Sequence, residues 1–171
     1  MWNKAAVLSL AVLVAGAAPV RAELGERHVE RAGGFSYCPP EGWSVREFPV
    51  FKYKFAFGPA WQGFTANLNV VDEAYDGTLK TYVDLNVQNL KKMIPGFRQI
   101  ERVPFKTLSG LSGERIRAED TQSQRELRQS FYLIASGKGR MFVLTGTSLA
   151  SDGPKFDSLF DDSADSFRLG K

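Results

Sequence analysis

The chain has 171 residues, of which 43% are hydrophobic and 24% charged, and a formal net charge of +3. This length and apolar content suit one domain with a sizeable core, and they exclude a disordered or low-complexity chain. Residues 1–22 carry Lys4 and Arg21 and no acid, so the remainder has 20 basic against 19 acidic groups. A nearly neutral body without a dense basic stripe excludes a typical nucleic-acid-binding protein.

The N-terminal segment has the layout of a secretory signal peptide. Lys4 precedes an apolar run from Ala5 to Ala18, and Val20-Arg21-Ala22 supplies the small residues of a cleavage site. We expect bacterial-type Sec export, cleavage after Ala22, and a periplasmic or secreted protein. A membrane anchor needs about 20 apolar residues, so we expect no transmembrane helix after processing. Cys38 lies too far beyond the leader to carry a lipid anchor.

Alternating strands follow a polar lead-in, residues 23–33, which we expect to be flexible. Apolar and polar residues alternate with a period of two in four segments. These predicted strands are Phe35–Tyr37, Trp43–Phe48, Tyr53–Phe57 and Phe64–Val70. Residues 58–63, Gly-Pro-Ala-Trp-Gln-Gly, have the composition of a hairpin loop and place Trp61 at or near its tip.

The period then changes to that of a helix. Leu79, Val83, Val87 and Leu90 recur at helical spacing, and Asp76 or Thr78 is a suitable N-cap residue. Pro95 and Gly96 end the pattern. A helix of about sixteen residues is predicted, long enough to cover a sheet.

The second half of the chain repeats this order of strands followed by a helix. Turns are expected at 119–123 and at 137–139, and a helix from Pro154 to Phe167. The predicted strands are Phe97–Leu108, interrupted near Pro104, Leu111–Ala118, Leu127–Leu133 and Arg140–Thr147. Hairpin-paired strands with separate helices indicate an α+β fold. We expect one domain, residues 34–169, with an antiparallel β-sheet and the central and C-terminal helices packed on its faces.

The order of these segments resembles the PsbP-like superfamily, which includes PsbP subunits and DcrB-type periplasmic proteins. The resemblance is carried by "FSY", "PPEGW", "TLSGLSGERI", "MFVLTGTS" and "SFRL", in that order. It covers about residues 33–169, and its individual markers are short turns and apolar alternation. It implies an antiparallel sheet with helices on its faces, and a protein-binding or assembly-factor role.

The residues needed for catalysis are scarce. His28 is the one histidine and Cys38 the one cysteine, so a zinc site lacks ligands. A hydrolase in which His28 activates Cys38 is a weak alternative, because His28 is expected to be an exposed residue of the lead-in. We therefore expect a protein that is not an enzyme and has no cofactor. Cys38 is expected to be a small apolar filler, with an intermolecular disulfide as the alternative.

Three acids before the central helix, Asp72, Glu73 and Asp76, are weak calcium candidates. The alternative is that acids gather there because the positive end of the helix dipole favours them.

The expected function is binding of another protein through surface loops and the sheet edge, and a protein of an envelope or membrane complex is one candidate partner. Trp61 and Phe64 are candidate contacts, because an aromatic residue at a hairpin tip can anchor a partner. Arg115 and Arg117 share one face of a strand and are candidates for an acidic groove. The alternative is a small-molecule or calcium-binding carrier, or a weak hydrolase. Its pocket would lie between the sheet and the central helix and be lined by Tyr82, Phe131 or Arg115.

Overall fold

A seven-stranded antiparallel sheet forms the centre of the protein in the computed structural model, which describes residues 23–170. Its strands are β3 (Ser44–Arg46), β4 (Phe55–Trp61), β5 (Phe64–Ala74), β6 (Arg98–Lys106), β7 (Ser112–Gln122), β8 (Arg125–Ala135) and β9 (Arg140–Leu149). Their spatial order is β3-β4-β5-β9-β8-β7-β6. Each half of the sheet is therefore a run of consecutive hairpins, and β5 and β9 join the two halves.

A smaller sheet holds both ends of the described chain. Its strands are β1 (His28–Glu30), β2 (Phe35–Tyr37) and β10 (Arg168–Leu169), with β2 in the middle. Both neighbours pair with β2 in the antiparallel sense.

Two helices complete the fold. The first, α1 (Leu79–Met93), begins after Thr78, whose hydroxyl accepts a hydrogen bond of 3.1 Å from the Thr81 amide. The second, α2 (Gly153–Asp165), has a proline in its first turn and follows a short 3-10 turn. The start of α1 is marked in the sequence by the N-cap residue Thr78, and the start of α2 by Pro154 in its first turn; both residue types are common at these positions. The prediction of an α+β protein with an antiparallel sheet is confirmed.

The two helices lie on opposite faces of the large sheet, and β8 shows this directly. Its odd-numbered residues Phe131 and Leu133 share a core with Tyr82 and Val83 of α1. Its even-numbered residues Tyr132 and Ile134 share another core with α2 and the small sheet. The residues of that core include Phe160 of α2, Phe35 of β2 and Phe167, which directly precedes β10. A strand buried on both faces reads as a continuous apolar run, as residues 131–134 do.

Two predicted turns are wrong in position. The segment 58–63 is mostly strand, because β4 continues to Trp61 with a register shift between Phe57 and Ala60. The turn is Gln62–Gly63, with φ of 48° and 70°. Likewise β7 and β8 are joined at Ser123–Gln124, with φ of 48° and 62°. Two consecutive left-handed residues give a tight hairpin that suits the twist of the strands. Each turn is therefore two residues long, shorter than the loop predicted from composition.

The strand predicted to break near Pro104 is continuous. β6 runs through Pro104, which lies opposite Glu114 of β7. β6 is an edge strand, so a residue without an N–H group can stand there with its nitrogen facing away from the neighbour.

The segment predicted as a flexible lead-in is part of the fold. It contains β1, and Leu24 forms a bridge with Pro40. Arg27 also donates hydrogen bonds to the Ser36 hydroxyl, at 3.2 Å, and to the Ser166 carbonyl, at 3.0 Å. Hydrogen bonds from the Arg27 side chain to Ser36 and Ser166 help to hold this segment, although its sequence has no alternating apolar pattern. The predicted signal peptide and its cleavage site at Ala22 lie outside the described residues. Within residues 23–170, no helix has the length and apolar character needed to cross a membrane.

Candidate functional site

An exposed aromatic patch lies at the tip of the β4–β5 hairpin. Trp61 is 61% exposed, and it pairs across the turn with the half-buried Phe64. Pro59, Leu149 and Phe156 complete a shallow apolar depression around them. We call these five residues the Trp61 patch. Contiguous exposed apolar patches mark interaction sites, and aromatic side chains are enriched in protein interfaces.

The base of this patch is packed tightly. A Cβ atom at Gly58 would lie 2.9 Å from the ring of Trp43, so only glycine allows that ring to cover β4. The Trp43 ring lies 6.2 Å from those of both Phe156 and Phe160, centroid to centroid. The turn itself is held by Arg125, which donates a 3.2 Å hydrogen bond to the Gln62 carbonyl. The patch therefore stands on packed strands and on the start of α2.

Arg115 and Arg117 do not line an open groove, contrary to the prediction. α2 covers their face of β7, and their side chains are only 18% and 11% exposed. Asp161 of α2 accepts hydrogen bonds from both guanidinium groups, at 2.9 and 2.5 Å, and one of 2.6 Å from the Tyr132 hydroxyl. Glu101 binds the same two arginines from β6. Sequence alternation identified their shared face and could not show that a helix covers it.

The three calcium candidates do not converge. Asp72 and Glu73 are neighbours on β5 and point to opposite faces of the sheet. Asp72 accepts hydrogen bonds from Lys52, Tyr53 and Arg140, at 2.9, 2.6 and 2.7 Å. Burial would raise the pKa of this carboxyl, but those three donors outweigh it and lower the pKa. Within residues 23–170, no group of three or more His, Cys, Asp or Glu side chains is arranged to hold a metal ion.

An apolar groove of about 310 Å³ lies between α1 and β5. It exists because α1 packs over β7 and β8 and leaves the neighbouring part of the same sheet face open. The lining residues are Asn69, Val71, Glu73, Asn86, Leu90, Phe131, Leu133, Val143 and Thr145. We call this the α1 groove.

The predicted pocket between sheet and central helix therefore has a counterpart, with a different lining. Phe131 lines the α1 groove as expected. Tyr82 is buried, and its hydroxyl hydrogen-bonds to Glu73; burial, reinforced by that carboxylate, raises the pKa of Tyr82. Arg115 lies on the opposite face of the sheet. The sequence analysis did not identify the other lining residues. Val71 could have indicated the groove, because this second of two consecutive valines interrupts the apolar-polar alternation and is 42% exposed.

His28 and Cys38 occupy ordinary structural positions. His28 was expected to be exposed, but it is half-buried in β1, with its ring edge-on to Tyr37 at 5.9 Å and its Nε2 3.6 Å from Glu30. Cys38 is a half-buried free thiol whose backbone N–H donates a 2.7 Å hydrogen bond to the Ser166 hydroxyl. Pairing of β1 with β2 explains why the histidine is covered.

Comparison with solved structures identifies the architecture. The solution structure of cyanobacterial PsbP (CyanoP) from Synechocystis sp. PCC 6803 superposes with a TM-score of 0.59, covering 91% of this chain and 98% of that one at 14% identity. LpqN of Mycobacterium tuberculosis, involved in cell envelope biogenesis, gives 0.61, covering 86% of each chain at 15% identity. The chain has the PsbP-like fold.

The PsbP-like fold is also found in the Saccharomyces cerevisiae Ran-binding protein Mog1p. That structure gives a TM-score of 0.57, with coverage of 84% of this chain and 94% of that one, at 11% identity. No protein-family profile matches the sequence, and no curated protein matches it either. The resemblance to the PsbP-like superfamily predicted from short segments is thus confirmed at the level of the fold, by structural similarity.

Proposed function

We propose that this chain is an exported, non-catalytic protein-binding module that contacts its partner through the Trp61 patch. The observation that carries the proposal is the exposure of Trp61 beside Phe64 on a hairpin whose base is packed. Large aromatic side chains, tryptophan above all, are enriched among the residues that contribute most to binding energy.

The similar structures support a binding role. Mog1p is described as a Ran-binding protein and LpqN as a protein of cell envelope biogenesis. The apolar leader supports export to the periplasm or outside the cell, where a protein of an envelope or membrane complex is the expected partner. The edge strands are poor sites for adding a partner strand. β3 has three residues, and β6 contains Pro104 and an irregularity at Gln99–Glu101.

The test is capture of partners from an envelope extract with immobilised wild type and the Trp61→Ala variant. Loss of an exposed anchor should lower partner affinity at least about tenfold, in the range of binding hot spots, while the melting temperature stays within the error of the wild type. Leu108→Ala, at another exposed apolar residue, is the matched control and should retain the partner. Equal recovery of every partner by the Trp61→Ala variant would show that the patch is not the contact surface.

A second candidate function is favoured by the α1 groove. Its volume and apolar floor, with amide and hydroxyl groups at the rim, suit a small and mostly apolar molecule. In this alternative the chain is a carrier of such a molecule.

Thermal-shift screening of apolar metabolites tests this alternative, because a ligand that binds only the folded state raises the melting temperature. Val71→Trp should fill the groove and abolish any such shift. Ile100→Trp, at a residue that is 40% exposed where Val71 is 42% exposed, is the matched control and should leave the shift unchanged. A shift that survives Val71→Trp would place the ligand elsewhere.

A further inference from the structure

A strained apolar turn precedes β4. The Phe51 amide donates a 3.2 Å hydrogen bond to the Phe48 carbonyl, with Pro49 and Val50 between them. Val50 has a φ of 66°. Proline followed by a left-handed residue is the pattern of a type II turn, whose third position favours glycine. A β-branched residue is strongly disfavoured there, because its Cβ substituents crowd the backbone.

The Val50 side chain buries no surface that would offset this strain. Val50 is fully exposed, and Phe48 and Phe51 on either side are each 45% exposed. We call residues 48–51 the apolar tip. Selection for stability alone would favour glycine at position 50, so the valine points to a task that needs an apolar side chain in the open.

The apolar tip rests on a packed aromatic base. The ring of Phe55 lies 4.7 Å from that of Phe51 and 5.1 Å from that of Phe48, and Phe57 stacks next to it. The exposed rings are therefore held in place. Phe55 and Trp61 are at opposite ends of β4, about 20 Å apart at the usual rise per strand residue. The apolar tip is thus a surface separate from the Trp61 patch.

Basic side chains flank the apolar tip. Arg46, Lys52 and Lys54 are exposed, Lys52 being paired with Asp72 at 2.9 Å, and the acids Glu30 and Glu47 border the same turn. Arg46 lies over the ring of Phe57 at 4.4 Å, and Lys52 over the ring of Tyr53 at 4.9 Å. The aromatic base thus holds two cations beside the exposed apolar residues.

We propose that the apolar tip docks onto an anionic lipid surface. Phe48, Val50 and Phe51 would enter the boundary between head groups and acyl chains, with Arg46 and Lys54 at the lipid phosphates. Three apolar residues are too few for a protein interface of standard size, which buries about 800 Å² per partner. Exposed apolar side chains bordered by basic residues combine the two contributions, apolar burial and attraction to anionic lipid, that favour reversible attachment to a membrane surface.

Vesicle co-sedimentation tests the proposal. The protein is purified after export, and mass spectrometry confirms that its N-terminal leader has been removed. This check is needed because an uncleaved leader would bind lipid by itself. Vesicles are made of equal parts phosphatidylglycerol and phosphatidylcholine, or of phosphatidylcholine alone. The wild type should bind the anionic vesicles, and added salt should weaken that binding.

Variants separate the apolar and basic contributions. Val50→Gly should lower partitioning by roughly fiftyfold, because three apolar carbons that enter the lipid are lost at about 0.8 kcal/mol each. Its melting temperature should be equal to that of the wild type or higher as strain is released. Lys54→Gln should lower partitioning about fivefold. Leu108→Gly, which removes an exposed apolar side chain elsewhere, should leave partitioning unchanged.

Three outcomes would overturn the proposal. They are no binding to anionic vesicles, equal binding to neutral ones, and binding that Val50→Gly leaves intact. If vesicles are not bound but cross-linking to a protein is lost in the Val50→Gly variant, the apolar tip docks a protein and the lipid proposal is wrong.

Discussion

Asp120 is a buried acid on the α1 face of β7. It is 1% exposed, and neither carboxylate oxygen has a hydrogen-bond partner of normal geometry within residues 23–170. Burial raises the pKa of this carboxyl, since an ionised group is poorly solvated there. An interaction with Gln122 lowers the pKa in part, and Glu126 adds to the rise. An acid whose pKa is higher in the folded state favours folding while it is protonated. That contribution is complete below the unfolded-state pKa of about 4 and is lost as the pH rises.

Asp120→Asn should therefore stabilise the protein at pH 7, on the order of 1 kcal/mol, because no charge is buried. The gain should shrink toward pH 4, where the aspartate of the wild type is protonated. Urea unfolding at the two pH values measures both effects. A variant that is less stable than the wild type at pH 7 would mean that ionised Asp120 has a stabilising partner.

The helix α2 is fixed to the sheet by carboxylates on one of its sides. Asp157 binds Arg128 at 2.6 Å, and Asp161, one turn later, binds two arginines and a tyrosine. Desolvation would lower the pKa of Arg115, but Asp161 and Glu101 outweigh it and raise the pKa. Half-buried charges of this kind matter most when one partner is removed, because the others then lose compensation.

Asp161→Asn should destabilise the protein by roughly 2 kcal/mol, somewhat below the cost of breaking a fully buried ion pair. Lys80→Gln is the control, since Lys80 forms an exposed pair with Asp84 along α1, and it should change stability by about 0.5 kcal/mol or less. Equal midpoints of urea unfolding for both variants would show that the Asp161 contacts add nothing beyond a surface pair.

At the scale of the whole molecule, sequence patterns located most of the fold. Period-two alternation found the strands from β2 to β9, and the Thr78 cap and Pro154 located the helix starts. The patterns missed β1 and β10, because strands of two or three residues are too short to show a period. They misplaced two turns because Gln62, Ser123 and Gln124 are not the residues usual at left-handed positions.

The candidate surfaces were only partly predictable, for a different reason. Trp61 was identifiable because a hairpin tip is defined locally. The covering of Arg115 and Arg117 depends on α2, more than forty residues away along the chain. The α1 groove depends on how far one helix extends across a sheet, and the apolar tip on a single backbone angle at Val50. Such tertiary facts leave no periodic trace in the sequence.

The position of β2 between β1 and β10 makes the small sheet depend on residues far apart in the chain. Phe35–Tyr37 pairs on one side with His28–Glu30 and on the other with Arg168 and Leu169. Without Arg168 and Leu169 one edge of β2 has no neighbour, and without Phe167 the core beneath it also loses an aromatic ring. A chain truncated before Phe167 would therefore keep an open, adhesive strand.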